Sequence, residues 1–278
     1  MRAMKFWLTA KTVRLFLCPS ISLLRHFLDS LEGVTNIPLI ELHVLNSIPT
    51  TMWPFATSKY PSIVLYFYDA WLMNVANPYF WRCSTKDVLV PLHQRNIGVH
   101  HCDIGCGTGY YLVHQKYPSP NTTITLLDLE STPLSITRSR LYKSHPTVTV
   151  HPHQHDILSV EHIPPPPTSS ECTTYDSISL TYLIHTLSVR PEDKVKVFSK
   201  AKAAINPSGV VFGATVLGHG PWHSWAGRLL LRFLNWEERL SNFDDNVEVL
   251  MKGLRDNFKD VKADVVGSIL VFEAKQPI

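Results

Sequence analysis

The chain has 278 residues, 45% of them hydrophobic and 18% charged, with a formal net charge of +3. That balance suits a globular protein with one sizeable core and an accessory segment. The small charge and the lack of any Lys/Arg run exclude a nucleic-acid footprint. Cys18, Cys83, Cys102, Cys106 and Cys172 form no C-x-x-C pair, which argues against a disulfide framework or zinc knuckle and for a reducing, cytoplasmic setting.

Residues 1–60 read as a basic, proline-interrupted extension. Arg2, Lys5, Lys11, Arg14 and Arg25 precede the first acid, Asp29. Lys11 and Arg14 interrupt the apolar stretch and so disfavour a secretory signal; a transit peptide, a membrane-surface helix and a packed helix stay open. Pro38, Pro49, Pro54 and Pro61 mark an irregular connector. Residues 61–97 predict lid helices. The apolar stretch 62–83 has the length of a membrane span, but Asp69, Asn74, Asn77 and Pro78 are costly in lipid, so no transmembrane span is expected. Tyr66, Tyr68, Trp71, Tyr79 and Trp81 make it strongly aromatic. It suits either a lid over a ligand site or an ordinary buried helix. Residues 88–96 predict a helix feeding the first strand.

Residues 98–112 contain the string H-C-D-I-G-C-G-T-G. It reads as a buried strand, a glycine-rich turn and a helix that continues to Tyr117. Gly105, Gly107 and Gly109 allow a sharp turn and let a ligand lie against bare peptide. The spacing departs from the G-x-G-x-x-G dinucleotide pattern. Asp103 would repel a pyrophosphate and suit an ammonium group. The string resembles the first motif of class I S-adenosylmethionine-dependent methyltransferases. In that family the loop holds the methionine end of the cofactor and the acid lies near its amino group. Tyr68-Asp69-x-Trp71 and the later N-P-x-x-W-R-C segment look like the small-molecule, natural-product branch.

Residues 122–127 are β-branched and apolar and predict a parallel strand. It ends at Asp128, where a carboxylate can hold a ribose diol or can cap the following helix. The resemblance implies the ribose role and puts Leu129 beside adenine. A helix over 135–142 carries Arg138, Arg140 and Lys143, all expected exposed. A third strand is expected over 147–151. His151, His153 and His155 alternate, so a metal site is conceivable, but Pro152 disturbs the spacing and a solvated loop is the expectation. The resemblance gives Asp156, with Ile157 after it, the adenine amino group. Pro164 to Pro167 open a stiff surface loop. The fourth strand, D-S-I-S-L, ends at Thr181, which the resemblance sets beside the cofactor. His185 follows, either near the cofactor and facing the acceptor or as a packed turn residue. A helix is predicted over 191–205, a turn over 206–209 and a fifth strand over 210–217.

Residues 218–240 hold Trp222, Trp225, Phe233 and Trp236, with His219 and His223. They are a candidate acceptor lid, or a helix that packs its tryptophans inward. Residues 241–278 predict a closing helix over 242–258 and a strand pair around Gly267. The strand–helix alternation implies an α/β fold: a doubly wound, mostly parallel, seven-stranded Rossmann-like sheet with helices on both faces and an N-terminal helical lid. Residues 98–217 would form the cofactor half.

The resemblance implies an enzyme that moves a methyl group from S-adenosyl-L-methionine to an oxygen or nitrogen of a small, secondary-metabolite acceptor. His185 is the first candidate catalytic residue and Tyr68 a second. A protein of this fold that steers a cyclisation, or serves as a regulatory partner, is the alternative. No resident metal and no nucleic-acid partner are expected, and the oligomeric state stays open.

Overall fold

The H-C-D-I string folds as β1 (His100–Ile104), buried at every residue after His100. The computed structural model describes residues 69–167, 173–218, 220 and 222–278, within a compact unit spanning Ser58–Ile278. The expectations for residues 1–60, for Tyr66 and Tyr68, and for His219 lie outside the described residues.

Ahead of β1, Leu72–Phe80 is a helix wound with the wide i→i+5 spacing. A second such turn, Thr85–Leu89, runs into α1 (Val90–Asn96). After β1 come α2 (Tyr110–Val113), β2 (Thr123–Asp128), α3 (Ser131–Ser144), β3 (Thr149–Gln154) and β4 (Tyr175–Thr181). The chain then forms α4 (Pro191–Lys194), α5 (Lys196–Ala204), β5 (Ile205–Val216), α6 (Trp225–Trp236), α7 (Val247–Arg255), β6 (Phe258–Val266) and β7 (Ile269–Pro277).

The seven strands lie in the order β3-β2-β1-β4-β5-β7-β6. Neighbours from β3 across to β5 pair in parallel, and β7 runs antiparallel to both β5 and β6. Alternation along each strand feeds two separate cores. Ile124, Leu126, Phe212 and Val271 pack on one face with Leu92, Leu112, Leu141 and Leu231. Leu127, Ile178, Val211 and Phe272 pack on the other with Phe198, Ala201, Leu250 and Leu254. Helices therefore cover both faces, as a doubly wound sheet requires. Among the described residues no helix is long and apolar enough to cross a membrane.

Several elements differ from their sequence expectations. The helix expected to continue to Tyr117 is the single turn α2. β3 extends through Pro152 to Gln154; it is an edge strand, so a missing N–H costs no ladder bond. The helix expected over 191–205 is broken at Val195 into α4 and α5. The turn expected over 206–209 lies within the span of β5, beside a register shift opposite Tyr175 and Ser177. The closing helix starts only at Val247, because the Asn246 side chain accepts from the Val249 N–H and caps it there.

Candidate cofactor and acceptor site

In this strand order the chain leaves β1 toward β2 but reaches β4 on the other side, so a crevice opens at the carboxyl ends of β1 and β4. Asp103 stands there, 7% exposed, in register with Ser179 of β4. The Ser179 hydroxyl donates to Asp103 Oδ1. Burial pushes the Asp103 carboxyl up to about 6; the Ser179 bond opposes that rise, and the nearby Asp128 charge adds to it.

A directed chain of hydrogen bonds stands behind this acid. The Gly98 N–H donates to Ser177 Oγ at 2.8 Å, and Ser177 Oγ lies 2.8 Å from His101 Nδ1. His101 Nε2 lies 3.2 Å from Ser179 Oγ. Because Ser179 donates onward, His101 must donate to it from Nε2 and accept from Ser177 at Nδ1. Burial lowers the His101 pKa to about 3, so the ring stays neutral. The sequence reading did not single out His101, Ser177 or Ser179; only the strand register brings them together.

The glycine loop has φ of +77° at Gly105, +51° at Gly107 and +68° at Gly109. A Cβ at Gly107 would meet nothing within 4 Å, whereas one at Gly109 would strike Thr137 Cγ2 at 2.6 Å. Gly107 therefore faces open space and Gly109 a packed wall. Three successive loop carbonyls are taken: Cys106 O by the Gly109 N–H at 2.8 Å, Gly107 O by Thr137 Oγ1 at 3.0 Å, and Thr108 O by Arg140 Nη1 at 2.7 Å. Arg140, expected exposed, also pairs with the buried Asp69 at 2.7 Å. Because α2 is one turn long, the loop itself supplies the polar backbone groups that the sequence reading drew from a longer helix. A buried carboxylate beside open backbone suits a ligand with a cationic group and polar edges.

Asp128 ends β2, and its Oδ1 accepts the Glu130 N–H at 3.1 Å. It does not cap α3, whose N-cap Glu130 makes no side-chain cap bond. Burial raises the Asp128 pKa, partly offset by backbone N–H groups of Glu130 and Gly107. Leu129 beside it is 59% exposed and Ile157 is buried. The His155 N–H joins the next loop to Asp128 O at 2.9 Å, and Asp156 Oδ1 accepts the Leu158 N–H at 2.8 Å. Lys200 Nζ ties that loop down through Ile157 O at 2.7 Å and Ser159 O, a role the sequence reading missed. His155 lies past the end of β3, so the three alternating histidines do not share one strand face. Among the described residues no three His, Cys, Asp or Glu side chains gather as a metal site.

On the far side, Thr181 Oγ1 lies 2.9 Å from His93 Nε2 of α1. Tyr182 has φ of +61°, which is rare for a bulky residue. Its N–H bonds Ala214 O at 2.7 Å and its hydroxyl donates to Asn77 Oδ1 at 2.8 Å. His185 is buried and its pKa falls to about 3 through burial, with the Lys194 charge adding to the fall. The Val216 N–H donates to His185 Nδ1 at 3.1 Å, so the proton of the neutral ring sits on Nε2. Trp225 and Trp236 of α6 are 53% and 67% exposed, so these two do not pack inward.

A family model described as a methyltransferase domain matches residues 102–211. A physcion biosynthesis cluster O-methyltransferase of Aspergillus chevalieri is 38% identical over 78% of this chain and 93% of its own length. The N-methyltransferase vrtF of Penicillium aethiopicum is 36% identical over 71% of this chain and 78% of its own. Among solved structures, a possible exported protein of Bordetella parapertussis shares the fold at a TM-score of 0.53 and 14% identity, covering 87% of this chain and 80% of that one. With its sheet order, its glycine loop and relatives at this identity and coverage, the chain belongs to the class I S-adenosylmethionine-dependent methyltransferases.

Proposed function

We propose that this enzyme methylates an oxygen or nitrogen of a small secondary-metabolite intermediate in the cytoplasm. The observation that carries this reading is the buried Asp103 at the mouth of a glycine loop open at Gly107. The similarity to an O-methyltransferase of a physcion biosynthesis cluster and to an N-methyltransferase supports the acceptor class.

In this reading Asp103 pairs with the cofactor ammonium, and Gly105, Gly107 and Gly109 let its methionine end lie on backbone. Asp128 holds the ribose diol. Leu129, Asp156 and Ile157 bound the adenine, and Thr181 closes the β4 side. Bound there, the cofactor would supply a methyl group already activated on a sulfonium, and the proton of the methylated oxygen or nitrogen would be lost to solvent. The protein's share is to hold the acceptor in line and keep water out. His185 Nδ1 is engaged by the Val216 N–H, so the ring offers a donor at Nε2. We assign it the orienting of an acceptor lone pair rather than removal of a proton. Tyr68 keeps its role as an acceptor-positioning candidate.

The test is mass spectrometry of hydroxylated and amino acceptors incubated with enzyme and S-adenosylmethionine. A gain of ~14 mass units carried by label from the donor methyl supports the reading. Products of unchanged mass overturn it in favour of a rearrangement catalyst.

A further inference from the structure

Three glycines in the left-handed region make a loop that its own sequence cannot hold still, because glycine loses the most conformational freedom on ordering. Something outside the loop must fix it. At Thr108 that something is a closed ring of three hydrogen bonds, each 2.7 Å long. Arg140 Nη1 donates to Thr108 O and to Asp69 Oδ2, and the Thr108 hydroxyl donates to Asp69 Oδ1. Asp69 and Thr108 are 4% and 7% exposed. Asp69 lies just ahead of the Leu72–Phe80 helix and Arg140 on α3, so the ring joins three separate pieces of chain.

We infer that Asp69 and Arg140 are positioning residues for the cofactor. They hold the glycine loop in its binding shape only while the Leu72–Phe80 segment is docked. The physical reason is in the sharing. One guanidinium nitrogen serves both the loop carbonyl and the Asp69 carboxylate, so without Asp69 the arginine has no anchor and swings off the loop. Without Arg140, Asp69 keeps, among the described residues, only the Thr108 hydroxyl and loses its paired cation. Thr137 holds the adjacent Gly107 carbonyl from α3 at 3.0 Å, one turn from Arg140, so both loop grips come from the same helix face. A second bond crosses from the same segment to the other side of the crevice, Tyr182 Oη to Asn77 Oδ1 at 2.8 Å.

The inference rests on the proposed cofactor site, and the test separates the two. Calorimetric titration of S-adenosylmethionine into the full-length protein is compared for wild type, Asp69→Asn, Arg140→Met, the double variant Asp69→Asn/Arg140→Met, and Asp128→Ala. The double variant removes both charges and leaves none unpaired, so it remains readable should a single variant unfold. Each single variant is expected to raise the Kd about tenfold, and the double about as much as either single rather than their product. KM for the cofactor rises in step, while kcat at saturating cofactor and KM for the acceptor stay within about twofold, a split that a merely structural defect does not produce. A Kd within about twofold of wild type in the folded double variant, with binding lost in Asp128→Ala, overturns the inference alone. Strictly multiplicative effects overturn the coupling. Unchanged binding in Asp128→Ala overturns the site reading and the inference with it.

Discussion

Asp103 is where residue chemistry makes the sharpest demand. Its carboxyl is raised from 3.8 to about 6, chiefly by burial. The folded protein without ligand therefore holds an extra proton between those values. Its stability falls as pH rises through that window and stays lower above about 6. A cationic ligand group reverses the preference, because it pairs only with the ionised acid. S-adenosylmethionine affinity is thus expected to be full above about pH 6 and to weaken by up to about tenfold per unit as pH falls below it. Titration calorimetry between pH 5 and pH 8 checks this. Ser179→Ala removes the hydrogen bond that opposes the rise, so the midpoint should move upward. A midpoint that stays put means Ser179 does not act on Asp103. Removing the imidazole at His185 reads differently. If the ring only orients the acceptor through Nε2, His185→Gln should keep part of the activity and the same pH profile between pH 6 and 8, since His185 is neutral throughout that range.

At the scale of elements, α4 is tied to the segment after β5 by an ion pair the sequence reading did not foresee. Lys194 Nζ and Asp245 Oδ2 lie 2.8 Å apart with both side chains essentially sealed from solvent. Lys194 also donates to Ser241 O, whose own N–H bonds the His185 carbonyl at 2.8 Å. Asp245 O accepts the Gly218 N–H at 2.7 Å. The pair thus sets the backbone on which His185 and the 218–245 segment rest. Asp245→Asn strands a buried ammonium and is expected to cost ~3–5 kcal/mol, read as a lower denaturant midpoint. Lys194→Met/Asp245→Leu removes both charges and should recover much of that loss. Such pairs are illegible in sequence because 51 residues separate the partners. Asp103, Asp128 and the three glycines were legible for the opposite reason. Each sits at a strand end announced by its own local string. Asp69, Arg140, His101, Ser179 and Lys200 act across the sheet or between loops, and only register and packing bring them together. Helix lengths were misjudged where a local cap or break overrode periodicity, as at Asn246 and Val195.

The whole molecule is organised so that one ligand bridges its parts. β1, β2 and β4 bring their carboxyl ends to one edge. Those ends carry Asp103 and Asp128, and the loops beyond β1 and β4, with Thr108 and Tyr182, meet side chains from the segment before α1 and from α3. A ligand gripping that edge binds only the assembled arrangement, since in the unfolded chain these residues are far apart. Its free energy of binding then adds to stability by mass action. At a concentration of S-adenosylmethionine 100 times its Kd the gain is ~2.7 kcal/mol, which for a domain of this size raises the melting temperature by about 5–11 °C. The rise should shrink at pH 5, where Asp103 holds its proton, and should vanish in Asp128→Ala. It should be blunted in Asp69→Asn at the same ligand concentration, because a weaker Kd lowers the saturation ratio. Differential scanning fluorimetry across these variants and two pH values tests the scheme as a unit. A shift of equal size in wild type and in Asp128→Ala would place the ligand somewhere other than this edge.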